Sequence, residues 1–428
     1  MAVGAALTAV LVLPLGASAA DLSSGAFQIK STNSETPGIS AIRGANGAVS
    51  SGDTPGETTP TTPPVEETPE PTLPPEPAFS TTRVVYNTSE ISGCTVPVLP
   101  ISDRQGEVSI SLNGGAYTPV TQDYPSLTGI GLGTTQTVDI RGKFGTFGTF
   151  PAAGRTATSV STLNSKCIVS VPRWADDNII TKMPSAFAST RFLGEVAPIP
   201  SGVTDISGMF FSSYYSAANF TGWDTSKVTN MAYTFTSSRL ITDEQLAKLK
   251  TDSVTDMTYI FSATQTATGT GIANWRTGNV KNFSYSFNNS SVRTGFEGWN
   301  TSSAEIMSGM FVSNQMSSND LTKWDVSNVR DFSLMFKNSF NGNISTWNTS
   351  KAQNFSGMFD GNRVFNGSLG ANWNIDGATD VSKMFYNSEG FKQDISSWKL
   401  SRVPQKDLFS VNSGLRVNDV PTANHPKN

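Results

Sequence analysis

Histidine is almost missing from this 428-residue chain, and cysteine is scarce: one His and two Cys. The single histidine, His425, leaves a Ser-His-Asp arrangement or a His-based metal site without a workable member. Cys94 and Cys167 stand far from C-x-x-C spacing, which argues against redox chemistry. No Gly-rich phosphate loop follows a strand-like run. Charge is sparse too, at 15% of residues with a formal net charge of −4, so no basic stripe exists to attract nucleic acid. After the first residues, no apolar run approaches the length of a membrane span. What remains for catalysis is a carboxylate pair such as Asp243 and Glu244, or Asp252 and Asp256. The expectation is a protein without a catalytic site, cofactor or metal. A polysaccharide-acting enzyme built on carboxylates is the remote alternative.

What the chain has in abundance is a repeat. Trp324–Phe336 (WDVSNVRDFSLMF) recurs as Trp223–Phe235, Trp275–Phe287, Trp299–Phe311, Trp347–Phe359 and Trp373–Phe385, always with twelve positions from Trp to Phe. The closing Phe forms a ladder: Phe210, Phe235, Phe261, Phe287, Phe311, Phe336, Phe359, Phe385 and Phe409, in steps of 23 to 26 residues. A period of that length marks stacked coils, none of which can bury its apolar face alone. The fifth position of the unit is Val or Ala (Val228, Val280, Ala304, Val329, Ala352, Ala378), and Val254 fills it in a copy where Leu249 replaces the Trp. Short β-branched runs of this kind predict one strand per coil, centred near those residues. Strands about 4.8 Å apart would make nine coils a rod of roughly 43 Å.

The pattern W-[DN]-x-S-x-V-x-[DN]-M-S-x-M-F, preceded by stretches such as Phe391–Trp398 (FKQDISSW) and Phe340–Trp347 (FNGNISTW), resembles the BspA-type leucine-rich-repeat surface proteins. That resemblance covers about Trp174 to Phe409. It implies a mainly β, leucine-rich-repeat-like right-handed solenoid of nine to ten coils, on a microbial secreted or surface protein associated with adhesion and partner binding.

The rest of the chain divides around this region. Residues 1–20 read as a signal peptide, with an apolar run over Val3–Leu15 and small residues at Ala17-Ser18-Ala19, although no Lys or Arg precedes the run. Removal of that peptide would leave no transmembrane segment. Residues 21–52 read as a flexible arm. Residues 53–77 hold nine prolines among Thr and Glu, a stiff polyproline linker of up to about 75 Å at ~3.1 Å per residue. Residues 78–173 read as a small β-sandwich: Val108–Leu112 alternates, Asn113-Gly114-Gly115 is a turn, and Thr137–Ile140 and Cys167–Val171 are further strands. The surface family implies a polycystic-kidney-disease-like label for a unit in this place. Both cysteines fall within it, which favours one disulfide in an exported chain over buried thiols or a redox pair, and would stabilise the unit by roughly 4 kcal/mol. The repeats occupy 174–410 and a polar tail 411–428.

Within the repeats, Trp174–Phe187 is one residue longer than the unit, and Pro198 stands in the next Trp position. Thr242–Lys250 predicts a short helix with Thr242 as N-cap and Gln245 closing a capping box. The last copy, Trp398–Phe409, is one residue short, and its Pro404 removes a ladder donor.

All eight tryptophans lie in the repeats, seven at the opening position, so they read as core rather than as a sugar platform. Nine of the eleven methionines fall one or four positions before the Phe and read the same way. The seventh position forms a row, Asp205, Asn230, Asp256, Asn282, Ile306, Asp331, Asn354 and Asp380, expected to turn inward and bond the next coil. Calcium binding would want more carboxylates per coil. The sixth position varies in charge and size: Thr229, Thr255, Lys281, Glu305, Arg330, Gln353 and Thr379. This row is the candidate face for an extracellular protein or glycan partner. A structural spacer or matrix component is the competing class, and no oligomeric state is assigned. Triplets such as Asn300-Thr301-Ser302 and Asn348-Thr349-Ser350 become glycosylation sites only in a eukaryote.

Overall fold

The computed structural model describes residues 80–87, 98–127, 135–148 and 167–416, apart from 192, 215–219, 240, 266, 315, 317–318 and 339. The signal-peptide, arm and linker expectations, Cys94, and the tail beyond 416 lie outside these residues. The described chain is mainly β.

Its first part is one antiparallel sheet of five strands: β1 Thr82–Asn87, β2 Ile101–Leu112, β3 Thr118–Pro119, β4 Thr135–Phe147 and β5 Ile168–Arg173, ordered β3-β2-β4-β1-β5. Strand β1 alternates buried and half-buried residues, with Val84 and Tyr86 in the core. The turn after β2 has positive φ at both Asn113 and Gly114, closed by the Gly115 amide on the Leu112 carbonyl. Two such residues in succession are what a hairpin turn matching strand twist requires. Asp139 on β4 is buried and takes the Arg83 guanidinium from β1 at 2.8 and 2.7 Å and that of Arg173 from β5 at 2.9 Å. The Arg83 hydrogen bonds hold its carboxyl below the ordinary carboxylate range, against the opposing push of burial.

The repeats add no strand of two or more residues among those described. Instead, a single row of residues bridges coil to coil in parallel: Thr146 of β4 to Lys182, then Asp205, Asn230, Asp256, Asn282, Ile306, Asp331, Asn354, Asp380 and Gln405, with two further bridges at Met316–Phe340 and Asp320–Asn343. This corrects the expectation of a strand centred on Val228 and its equivalents, which lie two positions earlier. Turns explain it. Val228 N–H closes a turn on Thr225 O, and Met231 N–H already donates to Asp256 of the next coil before Thr234 N–H turns back on Met231 O. Only the residue between the turns stays extended. Two residues per coil, two before and two after the ladder Phe, have positive φ, as Tyr233 and Ser237 do around Phe235. Such turns normally want Gly or Asn there.

The core is the aromatic stack. Phe rings of successive coils lie nearly parallel, 5.8 Å apart for Phe210–Phe235, 5.9 Å for Phe311–Phe336 and 5.4 Å for Phe359–Phe385. Phe147 of β4 joins them through Phe187 at 6.3 Å, so sheet and repeats share one hydrophobic core. Trp324 is 3% exposed and Phe336 fully buried, and Leu249 is buried in the Trp position it takes over.

Both departures near the end follow from this register. Asp380 bridges Gln405, which puts Ser410, not Phe409, at the ladder position; positive φ at Leu408 and Asn412 agrees. The last copy is therefore of full length, with Phe409 in the preceding Met slot. It meets Phe385 edge-on at 89° where the other steps are stacked. Pro404 occupies the place where Thr379 N–H donates to Gln353 O in the coil before.

Candidate partner-binding face

The sixth-position residues lie on successive coils, joined through their backbones. Thr229 N–H donates to Thr204 O, Thr255 to Thr229, Lys281 to Thr255, Glu305 to Lys281, Arg330 to Glu305, Gln353 to Arg330 and Thr379 to Gln353. These residues form one continuous ribbon, one per coil. All are exposed except Glu305, which is half-buried and pairs with Lys281 at 3.8 Å. The threonines also bond backward through their hydroxyls: Thr229 to Thr204 O at 3.2 Å and Thr255 to Thr229 O at 3.1 Å. They dress the edge of the ladder, while the charged centre of the row stands clear.

The Asn/Asp row does not turn inward. Each side chain is half-buried and caps its own coil, two residues on: Asp205 accepts from Ser207 N–H, Asn230 from Ala232, Asp256 from Thr258, Asn282 from Ser284, Asp331 from Ser333, Asn354 from Ser356 and Asp380 from Ser382. A short carboxylate or amide reaches its own backbone more readily than a neighbour 5 Å away. Where Ile306 replaces it, an apolar side chain is left exposed.

Beside this row runs a feature that sequence reasoning missed. Tyr233, Tyr259 and Tyr285 occupy the positive-φ position two before the Phe in three successive coils, at φ 60°, 55° and 54°. Their rings stack face to face, 4.9 and 4.8 Å apart and 8° from parallel in both steps. Burial, and after it the charge of Asp256, raises the Tyr233 phenol; burial and the flanking phenols raise that of Tyr259. The hydroxyls of Tyr233 and Tyr259 stay protonated and remain donors. The next coil has Gly309, where a Cβ would meet the Tyr285 ring at 2.4 Å. The signal was present in the sequence as a period of 26 from Tyr to Tyr.

The carboxylates considered for catalysis are engaged locally. Burial pushes Asp243 up, but hydrogen bonds from Thr268, Gly271 and Gly269 outweigh it and hold the group below its ordinary value. Glu244 pairs with Lys248 at 3.4 Å, Asp252 with Arg276 at 3.2 Å, and Asp256 caps Thr258. Asp243 also begins helix α1, Asp243–Leu246, with Thr242 as N-cap and the capping box to Gln245 as read from the sequence. Cys167 is fully buried just before β5. Among the described residues no group of His, Cys, Asp and Glu could hold a metal, and no helix is long and apolar enough to cross a membrane.

No curated protein and no solved structure matches this chain. One family model, described as "Mycoplasma protein of unknown function, DUF285", matches it over residues 204–317, 264–339 and 307–416. Together these overlapping matches span residues 204–416, which hold the Trp–Phe units from Trp223 onward.

Proposed function

We propose that this chain is a secreted or cell-surface recognition protein of the BspA kind, its repeats wound as a right-handed solenoid that binds an extracellular protein or glycan. One observation carries this reading. The variable ribbon Lys281, Glu305, Arg330 and Gln353 lies on consecutive coils, and the coil of Lys281 also carries Tyr285, the last of three stacked tyrosines. Positive φ recurs at this position in every coil, so the stacked phenol faces, and not the backbone, set these three coils apart. Phenol hydroxyls and mixed charges on a rigid scaffold suit a polar partner, bound without ordering a loop.

The small unit at 78–173 fits a sandwich of which one sheet is described, with a Cys94–Cys167 bridge, and the Pro/Thr/Glu-rich stretch would hold both units away from a surface. A structural spacer is the second reading, favoured by the continuous ring stack, which stiffens the array whether or not anything binds.

Charge reversal of Lys281, Glu305 and Arg330 together separates the two. Attachment of the secreted protein to its target surface should weaken while its melting temperature hardly moves. Unaltered attachment removes the ribbon as the binding face and leaves the convex loops, the unit at 78–173 or the spacer reading.

A further inference from the structure

One coil breaks the pattern of its neighbours. In the row from Asp205 to Asp380, seven side chains accept a hydrogen bond from the N–H two residues on, at 2.8 to 3.0 Å. The eighth place holds Ile306, and the Ser308 N–H has no partner among the described residues. Giving up that cap and leaving an aliphatic side chain in water are both unfavourable. Ile306 is 36% exposed and lies outside the hydrophobic core, so packing does not offset the loss. A local rule broken without a structural gain points to a surface in use.

Ile306 sits in the middle of the ribbon. Its backbone bridges Asn282 on one side and Asp331 on the other. Glu305 precedes it and pairs with Lys281 at 3.8 Å, whereas exposed Arg330, one coil on, pairs with no carboxylate among the described residues. Tyr285 leans onto the same coil, over Gly309. An apolar centre beside an aromatic ring, rimmed by charge, is how the energetic centre of a protein–protein contact is built.

The ring faces argue against a sugar here. Tyr259 is covered on both faces by its neighbours, and Tyr285 lies between the Tyr259 ring and Gly309. Only ring edges are left to a partner, whereas a pyranose packs its C–H groups on an aromatic face. The charge left over at the rim is that of Arg330, and a complementary surface carries a carboxylate. We propose that Ile306 is the centre of a contact for a protein partner, which lays an apolar side chain against Ile306 and Tyr285 and a carboxylate beside Arg330. This rests on the reading of the ribbon as the binding face and names the class of partner for it.

Random peptides displayed on phage and selected on the full chain supply the probes. The selected sequences should share an apolar residue close to an Asp or Glu. As synthetic peptides they should bind Ile306→Asn at least about tenfold more weakly than wild type, the loss expected at such a centre. Ile306→Leu, which keeps an apolar side chain, should bind within about twofold. Ile306→Asn restores the cap of the other coils, so it should melt no lower than wild type. A melt well below wild type would make Ile306 a packing residue and overturn the proposal. So would recovery of no binding peptide, equal affinity for Ile306→Asn, or displacement of the peptides by cellobiose or N,N′-diacetylchitobiose. Peptide binding lost on reversing Lys281, Glu305 and Arg330 but kept in Ile306→Asn overturns this contact and leaves the ribbon standing. Binding kept in both variants overturns the two readings together.

Discussion

The indole of Trp324 donates to the Phe296 carbonyl at 3.0 Å, one coil back, while its ring lies 6.3 Å from that of Trp347 in the next coil. One side chain thus ties three coils together. Trp324→Ala removes the hydrogen bond and the stacks on Phe311 and Trp347, and should cost about 3–5 kcal/mol, as large aromatic truncations do. Trp324→Phe should cost clearly less. Urea unfolding of the two variants checks the order, and a Trp324→Ala midpoint equal to wild type would place the indole outside the core.

Tyr259 sets backbone strain against ring stacking. Tyr259→Ala loses both stacks and keeps the unfavourable φ, whereas Tyr259→Gly loses the stacks and relieves the backbone. Gly should therefore be the more stable variant by about 1 kcal/mol, the reverse of the order in an ordinary extended or helical site. Thermal melts of the pair decide it.

Gly309→Ala should destabilise for two reasons acting together. Its φ is 60°, and the added methyl would press on the Tyr285 ring. Tyr285→Ala in the same chain should recover part of the loss, because only the steric share depends on that ring. A double-mutant cycle reads the coupling.

Asp139 predicts an acid limit for the sheet. Its folded pKa is held down by Arg83 and Arg173, so the pairing contributes fully above the unfolded value of about 3.9 and is lost as pH falls through the folded one. Wild type should lose stability below about pH 4 more steeply than Asp139→Asn. The variant should be less stable at neutral pH by about 3 kcal/mol, since two guanidinium groups lose their carboxylate.

For the cysteines, the expected outcome is a denatured, unreduced chain without reactive thiol. A titre of two thiols would overturn the Cys94–Cys167 bridge.

Much of this was readable from the chain because Trp and Phe kept a spacing that only a fixed packing slot imposes. The same logic found the Thr242–Gln245 capping box, whose two bonds involve only neighbouring residues. It failed where identity and position part company. Phe409 is apolar and falls near the period, yet the Asp380–Gln405 bridge assigns the ladder slot to Ser410. The Asn/Asp row was visible, but its direction was not, since period alone does not tell an inward side chain from one that caps its own turn. Strand β1 was passed over although Val84 and Tyr86 alternate properly, its six residues being too few to stand out. The tyrosine ladder was missed because nothing in residue type announces positive φ.

The parallel bridges begin on β4 and β5, which grip the first coils through Thr146–Lys182 and Val171–Val196, whereas among the described residues the coil of Gln405 is held by a bridge on one side, to Asp380. Under tension the array is accordingly polar. Pulled from its C-terminal end, it should peel one coil at a time toward the sheet, each 23- to 26-residue step releasing roughly 85 Å of contour at ~3.4 Å per residue. A force trace would then be a sawtooth of nearly equal teeth, with the strongest anchor met last.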